Sequence, residues 1–141
     1  MKYQTTSANN DSAFGERIYD FALFIGVGAG DLVYLAAGSP PYWKLARANA
    51  VSTSGGVLLG IAAGSSGTTD GVLIRGFARF DTKFPTPPSV GAPVYVSDIT
   101  AGDLTYTAPS TAGVDVVRIV GYSTTGGDSI YFCPDNTWVE L

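Results

Sequence analysis

The side chains that most often carry out chemistry in enzymes are scarce in this sequence. It contains no histidine and a single cysteine, Cys133, so the residues offer neither a Ser-His nor a Cys-His nucleophile, and no spacing favours a Ser-Lys pair. Paired carboxylates are the remaining route, as in glycoside cleavage. The aspartates, however, flank predicted turns, where such residues ordinarily accept hydrogen bonds from the turn backbone; they are Asp31, Asp70, Asp98, Asp103, Asp115, Asp128 and Asp135. We therefore predict that the protein is not an enzyme.

Motifs for cofactors and metals are equally weak. The run Gly26–Gly30 (GVGAG) has glycine spacing like that of a dinucleotide fingerprint, but Asp31–Leu35 resumes a strand instead of opening a phosphate-binding helix. Calcium could use Asp98 with Asp103 or Asp128 with Asp135, yet no loop has the dense D-x-D-x-D-G spacing. Cys133 matches none of the paired-cysteine metal patterns, and we predict that it is a small buried residue. We expect no cofactor and no bound metal.

Aromatic side chains are the other candidates for a binding role. Trp43 and Trp138 are predicted to make a surface aromatic contact, with Tyr106 and Tyr131 next. Such residues can stack on sugars, but a Trp in a small β domain also serves to plug a barrel end or an oligomer interface.

The candidate residues lie in or beside short apolar runs that are separated by turns of Gly, Pro, Ser and Asp. Such spacing predicts an all-β fold, a compact small β-barrel or sandwich of about nine short strands that spans residues 18–141. In the run 71–80, alternate residues from Val72 to Phe80 are predicted to face the core, and Arg75 and Arg79 the solvent or a partner. One helical turn at 45–50 is the most helix that we expect. The predicted strands are 18–25, 32–36, 42–48, 57–63, 71–80, 92–97, 103–107, 114–123, 129–133 and 138–141.

The first seventeen residues differ from the rest in being polar and without periodicity. We interpret 1–17 as an extended N-terminal arm that becomes ordered against a partner, with Tyr3, Phe14 and Arg17 as its partner-binding residues. A frayed terminus with incidental aromatic residues is the alternative interpretation.

Composition narrows the choice of partner. The net charge is −4 and the eight basic residues are scattered, which argues against nucleic acid, because duplex binding needs Lys and Arg to replace counterions. There is no apolar segment of the roughly 18 residues that a bilayer span requires, and the polar N-terminal residues do not resemble a secretory signal. We therefore expect a soluble protein made in the cytoplasm, with neither nucleic acid nor membrane as a partner.

A series of landmarks follows along the chain: Gly30–Tyr34, the Trp43 strand, Leu59–Ala62, Gly71–Phe77, Gly91–Ser97, Ala108–Ser110, Arg118–Tyr122 and Tyr131–Trp138. Together they resemble a small β-barrel module of tailed-bacteriophage virion proteins, and the resemblance covers roughly residues 28–141. This module occurs in capsid decoration (cement) proteins and near the C-termini of tail-fibre proteins, and the order of the landmarks is also similar to lambda-type head decoration proteins.

This resemblance implies a virion structural protein. On that basis we expect a capsid decoration protein made in the host cytoplasm. It would bind the major capsid protein as a homotrimer on the outer capsid surface, with residues 1–17 adding a strand beside a capsid subunit. The alternative is a receptor- or glycan-binding tip domain of a tail fibre, with Trp43 or the Pro85–Gly91 loop at the contact. A β-sandwich adaptor outside phages is a third interpretation.

Overall fold

The computed structural model describes residues 4–5, 12–81, 83–124 and 129–141, and for residues 4–5 only the backbone. Over these ranges the chain is almost entirely β, which confirms the predicted fold class. The elements are β1 (Gln4–Thr5), β2 (Ser12–Ile18), β3 (Leu32–Ala36), β4 (Tyr42–Leu45), α1 (Val51–Ser54), β5 (Leu59–Ala62), β6 (Val72–Arg79), β7 (Pro93–Val96), β8 (Leu104–Thr105), β9 (Val116–Val117), β10 (Ile119–Ser123), β11 (Ser129–Phe132) and β12 (Val139–Glu140).

One antiparallel sheet makes up most of the molecule and curls into a half-barrel. Its strand order is β4-β3-β5-β6-β11-β10-β7-β8, and β2 joins it at β6 with β1 beyond. Strands β9 and β12 form a separate two-stranded ribbon. No helix in the described part of the chain is long and apolar enough to cross a membrane.

Strand β6 is the branch point of the sheet. One edge of β6 pairs with β2 from Val72 to Arg79. The opposite edge is divided, because β5 pairs only with Val72 and Leu73 while β11 pairs only with Gly76–Arg79. Ile74 and Arg75 lie between these two pairings, at the point where β5 and β11 diverge. We call this divergence the fork.

A β-bulge in β6 coincides with the fork. Glu16 pairs with Arg75 and Arg17 with Leu73, so β6 advances two residues where β2 advances one, and Ile74 is the extra residue. The bulge shifts the alternation of side chains by one position. The predicted alternation is therefore right for Ala78, which lies in the main core, but wrong for Leu73, which is also buried there.

Two apolar clusters lie on opposite faces of the sheet at this end. The main core fills the concave face and includes Leu73, Ala78 and Ile130. The second cluster consists of Val33, Trp43 and Val72, and half-buried side chains of the segment 19–31, such as Phe21 and Leu23, pack against it. This segment lies over β4, where the amide of Phe24 donates to the carbonyl of Trp43 at 2.8 Å and the amide of Trp43 to that of Ala22 at 3.0 Å.

Two predictions from the sequence differ from the structure here. The predicted strand 18–25 is wrong, since β2 ends at Ile18 and the residues after it contribute only a single bridge between Leu23 and Trp43. Its apolar side chains pack over Trp43, which gives the run its strand-like composition. The helical turn expected at 45–50 lies instead at Val51–Ser54.

Candidate binding surfaces

Trp43 does not lie on the surface. Its side chain is fully buried, and its indole N–H finds no hydrogen-bond partner among the described residues. The predicted surface contact at Trp43 is therefore wrong. The physical reason is the segment 19–31, which covers the face of β4 on which the Trp43 side chain lies. The predicted contact requires this face to be exposed to solvent.

The arm residues are placed in part. Tyr3 lies outside the described residues. Phe14 and Arg17 belong to β2, so the part of the predicted arm from Ser12 onward is a paired strand of the sheet and not a free segment. Arg17 donates to the carbonyl oxygens of Ala13 and Asp70, the latter at 2.8 Å. Its guanidinium thus ties β2 to the turn before β6, and its hydrogen bonds serve the fold.

Trp138 lies at the mouth of a groove of about 480 Å³ that the fork creates. Its side chain is 39% exposed. One part of the indole rests on the backbone of Gly55 and Gly56, where an added Cβ would lie 3.0 Å from Nε1 and 3.1 Å from Cη2 respectively. Glycine at both positions therefore permits this close packing. The prediction that Trp138 is a surface aromatic residue agrees with its exposure, and its contact with a ligand stays a prediction.

Arg118 also lines this groove. Its Nη1 donates to three backbone carbonyl oxygens: that of Ser54, the last residue of α1, at 3.2 Å, and those of Gly55 and Val57 in the loop that follows, the latter at 3.0 Å. Its Nε donates to the carbonyl of Asp135 at 2.9 Å. Burial lowers the pKa of the Arg118 guanidinium, and the nearby charge of Asp135 offsets part of that effect. Arg118 therefore holds the platform under Trp138 and joins it to the turn before β12.

Arg75 forms the opposite wall of the groove and is exposed. No hydrogen bond or ion pair of its guanidinium is found within the described ranges. It lies close enough to Cys133 to lower the pKa of that thiol, although burial has the larger effect and raises it. The described residues that line the groove include no Asp or Glu; they are Gly55, Gly56, Val57, Leu58, Leu59, Ile74, Arg75, Arg118, Pro134, Asn136 and Trp138.

A row of aromatic side chains crosses the convex face of the sheet. In the strand register Phe14 pairs with Phe77, Phe77 with Tyr131, and Tyr131 with Tyr122. Their neighbours Ala13, Ala78 and Ile130 point into the main core, so the four rings lie on the other face. We call these four residues the aromatic row. It spans four strands, or about 14 Å at the usual strand spacing.

A socket of about 250 Å³ opens beside the aromatic row. Gly15 and Gly76 face each other across β2 and β6 at its border, each with φ near +143°, and the lack of a Cβ at both positions lets the two backbones approach closely. Phe14, Phe77 and Tyr131 border this socket together with Glu16 and Arg75. The Phe77 and Tyr131 rings are 5.1 Å apart at their centroids. The surface therefore combines flat apolar rings with a recess.

The described aspartates lie near turns. Asp31 accepts a hydrogen bond from the amide of Gly28 at 2.8 Å and pairs with Lys83 at 2.7 Å. Desolvation by burial raises the pKa of Asp103, Lys83 lowers it and the charge of Asp31 raises it further. No group of three or more His, Cys, Asp or Glu that could hold a metal occurs in the part of the chain that the structure describes. Asp128 lies outside the described residues.

The sequence analysis missed the residues that build the groove. Arg118 lies in the predicted strand 114–123, and the alternation of that run predicts no special role for it. A lone cation in the run VDVVRIVGY is nevertheless a signal of a buried, hydrogen-bonded guanidinium. The aromatic row was also missed, because strand pairing between residues far apart in sequence brings its members together. Arg75 and Arg79 are exposed as predicted.

Comparisons of this chain with protein-family models, with curated proteins and with solved structures find no match.

Proposed function

We propose that this protein is a virion structural protein that decorates the outer surface of a phage capsid as a homotrimer. It acts by adding contact area between neighbouring copies of the major capsid protein, and it carries out no chemistry. The proposal rests on the landmarks that resemble phage virion modules and on one structural observation, the aromatic row on the convex face of the sheet.

Strand β2 carries one end of the aromatic row. It pairs with β6 along its length, and among the described residues β1 pairs with it at Ser12 and Ala13. A capsid subunit that docks on this face would contact Phe14 and the rings beside it.

The aromatic row supplies the apolar part of the same contact. Phe14 and Phe77 are half-buried and Tyr122 is 41% exposed. Aromatic residues are enriched in the buried centres of protein interfaces, and they concentrate the binding energy there. The socket bordered by Phe14, Phe77 and Tyr131 would accept one side chain of the capsid subunit. The aromatic row and the socket together form the proposed docking surface.

Co-sedimentation tests this proposal. Purified protein is mixed with empty capsids of the phage that encodes it, the capsids are pelleted, and the bound protein is measured over a range of concentrations. We expect saturable binding at a fixed number of copies per capsid. Light scattering after size-exclusion chromatography is expected to report a mass of three chains.

Two substitutions locate the contact. Tyr122→Ala removes an exposed ring of the aromatic row, and we expect at least about a tenfold weaker binding to capsids. Ile99→Ala is the matched control, since Ile99 is 80% exposed and lies in the turn before β8, away from the row. Capsid binding that both variants retain would contradict the docking surface. A protein that never pellets with capsids would contradict the decoration role.

The fork groove favours a second candidate function, a receptor- or glycan-binding tip of a phage tail fibre. A half-exposed indole beside an exposed guanidinium is an arrangement suited to sugar binding. The contact then lies at Trp138 rather than at the buried Trp43. Detection of the protein on tails and not on heads of purified particles would favour this function.

A further inference from the structure

We propose that the fork groove binds a saccharide that carries a carboxylate, such as a uronic or sialic acid residue. This inference goes beyond capsid decoration, because the groove is formed by other residues than the aromatic row and would serve a different class of ligand.

Charge is the first observation. Among the described residues, the guanidinium groups of Arg75 and Arg118 line the groove and no carboxylate side chain does. This contrasts with the net charge of −4 of the whole chain. Arg118 is already satisfied by four backbone carbonyls, whereas Arg75 is exposed and makes no ion pair within the described ranges. Arg75 is therefore available to bind an anionic group, and a planar guanidinium can bind a carboxylate through two parallel hydrogen bonds.

The aromatic platform is the second observation. Trp138 is held from below by Gly55 and Gly56, whose loop is in turn fixed by Arg118. An indole fixed in this way loses little conformational freedom when a ligand stacks on its exposed part. The rim also carries Asn136, whose amide can donate and accept hydrogen bonds with ring hydroxyls.

Shape favours a ring over a peptide. The backbone of β6 is unpaired on the fork side only at Ile74 and Arg75, which is too short a stretch to pair with an added peptide strand. A volume of about 480 Å³ falls in the usual range of small-molecule sites. The groove thus suits one or two sugar rings with a carboxylate directed to Arg75 and a ring face directed to Trp138.

An array of saccharides tests the inference. It carries oligosaccharides with uronic and sialic acids, each beside its neutral counterpart, and binding of the intact protein is followed by titration calorimetry on the best ligand. We expect saturable binding to at least one acidic saccharide and at least about tenfold weaker binding to the neutral counterpart, since a hydrogen bond to a charged group contributes this much.

Three variants assign the binding to the groove. Arg75→Gln is expected to weaken binding of the acidic saccharide about tenfold or more and to leave the weak binding of the neutral one unchanged. Trp138→Ala is expected to weaken binding of both. Arg79→Gln is the matched control, because Arg79 is an exposed arginine of the same strand that pairs with Asp81 outside the groove.

Each other result overturns the inference. Absence of saturable binding to every acidic saccharide does so, as does equal affinity for acidic and neutral sugars. Binding that Arg75→Gln and Arg79→Gln weaken equally would indicate a general charge effect in place of this site. Should acidic peptides bind the groove while the saccharides do not, the ligand class is wrong. Capsid binding is measured separately with Tyr122→Ala, so failure here and failure of the decoration role are distinguishable.

Discussion

Replacement of Arg118 by methionine gives the sharpest test of how the groove is built. The substitution keeps a long apolar stem and removes the guanidinium. The carbonyl oxygens of Ser54, Val57 and Asp135 then lose this donor, whereas that of Gly55 keeps the hydrogen bond from the amide of Val57. Hydrogen bonds from a charged donor contribute about 1.5–3 kcal/mol each before costs are counted. Two effects reduce this loss: the variant no longer has to bury a cation away from water, and water in the open groove hydrates part of the carbonyl oxygens that lose Arg118.

The balance of these effects predicts a loss of about 2–4 kcal/mol in the free energy of unfolding. Urea unfolding followed by circular dichroism measures it. Arg79→Met is the control, since Arg79 is exposed and forms a surface pair with Asp81 at 2.8 Å, and such pairs contribute roughly 0–1 kcal/mol. Arg118→Lys keeps the charge but lacks the planar fork of donors, and we expect a loss between the two.

A second readout separates the groove from general stability. Because Arg118 fixes the loop under Trp138, Arg118→Met should make the Trp138 indole more accessible to acrylamide quenching under native conditions, while the buried Trp43 provides the unquenched component. An Arg118→Met protein with wild-type unfolding free energy and unchanged quenching would refute the role that we assign to this guanidinium.

Three further predictions concern other parts of the molecule. Gly76→Ala should destabilise the fold by more than about 2 kcal/mol in thermal or urea unfolding, because its Cβ would overlap the backbone of the facing strand. Gly113 has φ near +77° and open space around it, so Gly113→Ala should cost only about 1 kcal/mol. Equal losses in the two variants would contradict this. Burial raises the pKa of Asp103 above its ordinary 3.8, so the ionised carboxylate destabilises the fold at pH values above the raised pKa. The Asp103→Asn variant should therefore be more stable than the wild type at pH 7, and this gain should disappear as the pH falls below about 3.8. A gain that persists at about pH 3 would refute this cause. Burial raises the pKa of the Cys133 thiol, so its alkylation at pH 8 should be slower than that of a free cysteine and slower still in Arg75→Gln; faster alkylation in that variant would contradict the proximity of the two groups.

Much of the fold could be predicted from local patterns. The strand at Leu32–Ala36 was found with its exact bounds, and others such as β6 and β11 to within one residue at each end, because their apolar residues alternate between turn signals. The strand predicted at 18–25 failed because an apolar run looks the same whether it pairs in a sheet or packs over one. Only the position of Trp43 in the finished sheet decides between them.

The candidate sites were less accessible to sequence reasoning. The bulge at Ile74 depends on how β2 pairs with β6, and no local signal marks it. The aromatic row joins Phe14 to Tyr122 through strands more than a hundred residues apart. Arg118 acts through carbonyl groups, which every residue has, so composition cannot show which ones it will bind. Trp138, by contrast, is a surface aromatic residue both in the sequence-based prediction and in the structure.

The branched pairing of β6 has a consequence for the order in which the chain is completed during synthesis. When β6 leaves the ribosome, β2 and β5 are available to it, but the partner of Gly76–Arg79 on the other edge is β11, which is made some fifty residues later. Until then that edge stays open beside the nascent half of the sheet, where it can pair with the β11 strand of a neighbouring chain. Polysomes that synthesise many copies close together therefore provide the conditions for strand exchange between chains. A chaperone would be needed during the time that the ribosome takes to synthesise the residues between β6 and β11.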